Sequence, residues 1–126
     1  MNVPETRKAV TRLLKQRGGK ARKGHLRLPV GDLFWYVDLR AESPGPTAPL
    51  RLELGCWTPE LPPEPDGGAV DCPLLVDLQL GEDPLAETER YLDLVGQIGD
   101  LGTLAVRMVE LPGALVDVPL RELLEG

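Results

Sequence analysis

His25, Cys56 and Cys72 are the only imidazole and thiols in the chain, and their spacing limits their chemistry. The cysteines stand sixteen positions apart with no Cys-x-x-Cys pair. A zinc site would have to gather all three residues and a carboxylate from separate elements. Buried, reduced thiols acting as small hydrophobes are the simpler expectation. A Cys56–His25 nucleophile–base pair is open if their strands are neighbours. Cys56, however, alternates with Leu50, Leu52 and Leu54, which puts it on the core side of a strand. Ser43, the only serine, sits in a Pro/Gly loop without a Gly-x-Ser-x-Gly elbow. No cofactor is expected.

Carboxylates are more plentiful. Asp38, Glu42, Glu53, Asp71 and Asp77 all fall on or near strands, Asp38 in phase with Phe34 and Tyr36, Glu53 in phase with Arg51. Acid–base or divalent-metal catalysis needs two of them converging in a cleft. The plainer expectation is a solvated sheet face on which they pair with Arg40 and Arg51.

The strongest chemical feature is the basic stretch from Lys15 to Arg27. Residues 1–27 carry nine Lys/Arg and one acid; residues 28–126 carry five and nineteen. The net charge of −6 therefore hides a balance of +8 followed by −14. Phosphate cradling is poorly supported, because Arg17-Gly18-Gly19-Lys20 follows a helix and lacks the helix N-terminus that a P-loop uses. Residues 1–32 hold no aromatic side chain for base stacking, and the acidic remainder opposes nucleic acid. An acidic protein partner fits better, and neutralisation within one fold fits best. Trp35, Tyr36 and Trp57 form a second candidate surface. Alternation sends Trp35 and Tyr36 to opposite faces of a sheet, so one of them is expected on the outer face beside the Pro-rich loop, with core packing the plainer role for at least two of the three aromatics. The candidate interaction surface is thus Lys15, Arg17, Lys20, Arg22, Lys23, Trp35, Tyr36 and Trp57.

These residues must be positioned by a chain of 126 residues, which suits one domain, 1–126, with one core. At 42% apolar and 4% aromatic, that core rests on Leu, Val and Ala. No apolar run reaches the roughly 20 residues of a membrane span, and the N-terminus has no signal-peptide pattern. The expected setting is the cytoplasm, without a membrane partner; the oligomeric state, a homodimer included, stays open.

A capped helix is expected over Val3–Arg17, with Asn2 as N-cap, Pro4 in the first turn and Gly18-Gly19 as the stop. Val3, Thr6, Val10, Leu13 and Leu14 form its apolar stripe. Strands are expected over Lys23–Leu28, Leu33–Arg40, Leu50–Trp57 and Ala69–Leu80, with a turn at Pro29–Asp32. Thr58–Gly68, with four prolines, reads as a long extended loop. Asp83 and Pro84 open a second helix. Leu101–Leu111 fits helix or strand and leans to helix on length. Asp117 caps a last helix over Val118–Leu124. The fold class is α+β: an antiparallel sheet of three to five strands with helices on one face.

Several of these segments together resemble a bacterial family known as domain of unknown function 4304. They are Leu13-Leu14-Lys15-Gln16-Arg17-Gly18 with Lys20 and Lys23, the strand Trp35–Leu39, Leu52-Glu53-Leu54-Gly55-Cys56, and Asp71-Cys72-Pro73-Leu74. Members tend to show a "LL+xxGF+++" run, a hydrophobic strand, a "hxhxlG" strand and a later Cys. The resemblance spans roughly residues 8–80 and departs at Gly19, where an aromatic is usual, and after Cys72, where an Arg is usual. It implies an α+β fold and a bacterial origin, and brings no catalytic residues with it. The expected function is a small non-catalytic binding or protein-interaction domain; the alternative is a small enzyme using strand carboxylates such as Asp38 and Glu53.

Overall fold

Asn2 accepts the Glu5 amide at 2.9 Å and Pro4 fills the first turn, so helix α1 runs Val3–Gln16 in the computed structural model, which describes residues 2–126. Its end is set by glycine. Gly18, at φ +95°, lets its amide reach Lys15 O, and the Gly19 amide reaches Leu14 O at 2.8 Å. These two bonds satisfy carbonyls the last turn would leave open.

Strand β1 (Lys20–Arg22) then turns at once into β2 (His25–Val30). Lys23 and Gly24 both have positive φ, 54° and 82°, the two-residue turn whose twist suits a hairpin. The expected strand from Lys23 is thus corrected, and the expected turn at Pro29–Asp32 is narrowed to its last two residues. The chain reverses at Lys23–Gly24, and again at Gly31–Asp32 into β3 (Leu33–Ala41). Pro29 is tolerated in β2 because β1 ends opposite Arg27, leaving Pro29 with no neighbour on that side to which it would have to donate.

β4 (Leu50–Trp57), β5 (Leu74–Gln79) and β6 (Leu115–Val116) complete a six-stranded antiparallel sheet in sequential order. It exceeds the expected three to five strands by one, and its two shortest members, β1 and β6, match no expected segment. The expected strand over Ala69–Leu80 is shortened. Residues Gly68–Asp71 form a 3-10 turn instead, pinned by the Ala69 amide donating to Asp38 Oδ2 at 3.0 Å.

Helices α2 (Pro84–Val95), α3 (Leu101–Arg107) and α4 (Val118–Glu125) follow, with β6 between the last two. Asp83 caps α2 by accepting the Ala86 amide at 3.1 Å. Asp117 holds the N-cap position of α4, but its side chain makes no capping bond. The ambiguous stretch from Leu101 is helical: Leu104 is buried while Val106 is exposed.

The sheet has two different faces. Leu28, Leu33, Trp35, Val37, Leu52, Leu54, Cys56, Leu74 and Val76 meet Val10 and Leu14 of α1, Leu92 and Val95 of α2, and Leu104 and Leu120 in the main core. Residues of the opposite parity form an outer face. There, the register sets Arg27, Tyr36, Gly55 and Leu75 in one row, and Asp38, Glu53 and Asp77 in the next.

Candidate functional site

The outer face is where the chain's chemistry collects. Gly55 lies between Tyr36 and Leu75 and has no side chain, which leaves room for the turn Gly68–Asp71 to settle on the sheet. Tyr36, Trp57, Ala69 and Cys72 are buried together there, with Phe34 and Leu75 against them. The proline-rich segment from Thr58 crosses over this second, small core before reaching that turn.

Glu64 of that segment is the polar centre. Its carboxylate accepts the Tyr36 hydroxyl at 2.5 Å and Arg27 Nη2 at 2.8 Å, and lies 3.1 Å from Arg22 Nε. Arg27 Nε is 2.8 Å from the carboxylate too, but aligned too poorly to donate. The Arg27 guanidinium also stacks over the Phe34 ring at 3.9 Å, and Phe34 packs on Trp57 with centroids 5.5 Å apart. Arg22 adds bonds to Pro65 O at 2.5 Å, to Asp66 at 3.1 Å and to the Tyr36 hydroxyl at 3.0 Å. The Glu64 side chain keeps 13% exposure.

Burial, followed by the hydrogen bond to Glu64, pushes the Tyr36 phenol up to about 12, against a smaller opposing effect of Arg22. In the unfolded chain the phenol ionises near pH 10. Above pH 10 the unfolded state therefore releases a proton that the folded state retains, and stability falls until the folded group ionises. The expected loss is about 2 kcal/mol between pH 10 and pH 12. Urea unfolding across that range should show this loss in the parent chain and a flatter profile in Tyr36→Phe. Parallel profiles would contradict it.

A neighbouring group links His25 Nδ1 to Asp38 Oδ1 at 2.9 Å, while Asp38 Oδ2 holds the Ala69 amide. Glu53 is opposed in register to both Asp38 and Asp77. Burial raises the Glu53 carboxyl above its usual range; Arg40, 3.5 Å away, opposes this, and Asp77 and Asp38 add to it. Arg51 ties Asp77 at 2.8 Å and Glu42 at 3.2 Å. Glu42, Glu53 and Asp77 do pair with Arg40 and Arg51 on this face, but Glu53 is buried rather than solvated, Asp38 pairs with His25, and Asp71 lies in the 3-10 turn.

The structure does not assemble the other sequence candidates in the same way. His25 lies on the outer face and Cys56 in the main core, so they form no pair. Cys72 belongs to the outer cluster, separated from Cys56 by the sheet. Among the described residues no three His, Cys, Asp or Glu side chains are grouped to hold a metal. Both thiols are free and buried. Burial pushes Cys72 up to about 12, with Asp38, Asp71 and Glu64 adding to it, and raises Cys56 as well.

Trp35 and Tyr36 do face opposite ways, but neither is exposed. Trp35 is fully buried in the main core, donating to Ile98 O at 3.0 Å. Tyr36 is fully buried beneath the loop, and Trp57 is 8% exposed, donating to Leu61 O at 2.9 Å. The expected exposed aromatic strip is therefore corrected: the chain's own loop covers it. Of the basic candidates, Arg17 pairs with Asp93 at 2.7 Å and Arg22 with Glu64 and Asp66. Lys15, Lys20 and Lys23 are exposed. Sequence reasoning missed Glu64 and Arg27; the one available signal was an acid inside the Pro-Pro-Glu-Pro-Asp run.

Among the described residues no helix is long and apolar enough to cross a membrane. The chain was compared with family models, curated proteins and solved structures, and no significant match was found in any of the three.

Proposed function

We propose that the chain is a small non-catalytic binding module that docks an acidic protein partner on the outer face of α1 and the adjoining hairpin tip. One observation carries this reading. The N-terminal arginines Arg17, Arg22 and Arg27 are neutralised by acids of the body, whereas Lys8, Arg12, Lys15, Lys20 and Lys23 have no salt bridge among the described residues. Lys8, Arg12 and Lys15 recur at helical spacing and share the exposed side of α1. A hollow of about 320 Å³ between α1 and the hairpin is bounded by Arg7, Thr11 and Gly24 and is lined by Asp38 as well. Unpaired cations on a rigid helix steer and orient an acidic partner. The resemblance to the bacterial family 4304 belongs to the same reading, supported by the order of helix, strands and late cysteine, and a cytoplasmic setting with reduced thiols accompanies it.

The alternative, an enzyme acting through Asp38 and Glu53, is favoured by their opposition in register and by the raised Glu53 carboxyl. It is disfavoured by their commitments: Asp38 to His25 and Ala69, Glu53 to Arg40.

A labelled oligoglutamate peptide at low salt is the direct test. Lys8→Glu, Arg12→Glu and Lys15→Glu together should weaken its binding by about tenfold or more, that is about 1.4 kcal/mol. Unchanged affinity in this triple variant, or tighter binding of duplex DNA than of the peptide, would overturn the reading.

A further inference from the structure

The proline-rich loop is attached to the sheet in an unusual way. From Pro62 to Asp66 no backbone–backbone hydrogen bond ties it down among the described residues. Pro62, Pro63 and Pro65 have no amide to offer. Side chains of the sheet do the holding instead: Arg22, Arg27 and Tyr36 grip Glu64, Pro65 O and Asp66, and Trp57 grips Leu61 O.

The gripping groups are built into the scaffold. Arg22, Arg27 and Tyr36 come from three adjacent strands, and Phe34 braces Arg27 by stacking. The central gripped group is the Glu64 carboxylate on the loop, with Pro65 O and the exposed Asp66 held by Arg22 alone. This is the arrangement of a receptor on a rigid frame with its ligand on a tether. Two guanidinium forks and a hydroxyl suit a carboxylate. Lys20, opposite Arg27 in register, is exposed and has no ion-pair partner among the described residues, so the rim stays positive.

The geometry points to a carboxylate-binding site formed by Arg22, Arg27 and Tyr36, occupied in cis by Glu64 and open to a glutamate or aspartate side chain of an acidic peptide when Glu64 is displaced. Displacement lifts residues 59–66 and uncovers Tyr36 and Trp57 as the apolar floor of the docking surface. The partner class is the one proposed above, but this site does not depend on the face of α1. Mass action sets the exchange. Glu64 is present at the high effective concentration of a tethered group, so the outside peptide binds weakly while Glu64 remains.

The two indoles supply the readout. Trp57 Nε1–H bonds to the loop at Leu61 O, and Trp35 Nε1–H bonds within the main core at Ile98 O. Hydrogen exchange of the two indole N–H groups, followed by NMR, therefore separates loop lifting from unfolding. Saturating oligoglutamate is expected to speed exchange at Trp57 by about tenfold or more with no change at Trp35. Glu64→Gln should produce the same selective change without peptide and tighten peptide binding by about tenfold. Joint acceleration of both indoles, or of neither, overturns the proposal. So does an equal response to inorganic phosphate at matched ionic strength, which would assign the site to phosphate. The Lys8→Glu, Arg12→Glu, Lys15→Glu variant keeps all three gripping residues. A selective Trp57 response to saturating peptide in that variant supports this site even where the face of α1 proves inactive, and its loss there counts against the site.

Discussion

Alanine at Gly55 is expected to destabilise the fold by about 2–3 kcal/mol, although it adds only a methyl group. The new Cβ would lie 2.6 Å from Ala69 Cα, 2.7 Å from Ala69 O and 2.7 Å from Cys72 Sγ. Two of these three atoms are backbone, so no rotamer change relieves the contact. The turn Gly68–Asp71 would have to rise from the sheet. Rising stretches the Ala69 amide away from Asp38 and leaves that buried amide short of a partner. Gly68 limits the adjustment further, since it sits at φ +76° with His25 and Asp38 close against it. Urea unfolding measures the cost. A midpoint indistinguishable from the parent would show that the turn is not seated as closely as described.

Trp35→Ala should cost more, about 3–5 kcal/mol. The ring is fully buried between the sheet and the segment joining α2 to α3, and its N–H is the donor to the Ile98 carbonyl. Removal leaves a cavity and an unmet acceptor together. For a domain whose whole stability is about 5–15 kcal/mol, that leaves little margin. Trp35→Phe retains much of the apolar contact and loses the bond, so about 1–2 kcal/mol is expected. Similar costs for the two substitutions would show that the hydrogen bond, not the packing, dominates at this position.

Much of this architecture was legible in short-range patterns. Asn2 and Asp83 cap helices because a side-chain oxygen three residues ahead of an orphan amide is a local arrangement. The alternation from Leu50 to Cys56 fixed a core face because side chains on a strand alternate. The β1–β2 hairpin was less legible, since Lys-Gly is a weaker turn signal than Asn-Gly and each strand is short. The Glu64 site was not legible. Its partners stand 28, 37 and 42 positions away in the chain, at Tyr36, Arg27 and Arg22. Four prolines announce an extended loop but not the surface it lies on. The burial of Tyr36 and Trp57 depends on that surface, so it too was hidden. Charge asymmetry showed that the N-terminal segment and the body attract each other. It did not show that arginines would take the acids and leave all four lysines without a salt bridge among the described residues. Geometry supplies the reason: a planar fork can hold a carboxylate and a carbonyl at once, as Arg22 does with Glu64 and Pro65 O.

The two ends of the sheet have a bearing on how the protein behaves in a crowded cell. A free strand edge is a template on which another chain can crystallise its own strand, the first step toward fibrils. Here one border is three residues long and carries Lys20 and Arg22, and the other is two residues long. Where β2 extends past β1 it presents Pro29, which cannot donate. The β1 border, short, charged and interrupted, gives a growing fibril little to copy; at the other, β6 covers only Leu74 and Leu75, and the stretch of β5 beyond it carries the charge of Asp77. The protein can thus present sticky side chains to a partner while its backbone stays a poor seed for its own polymerisation.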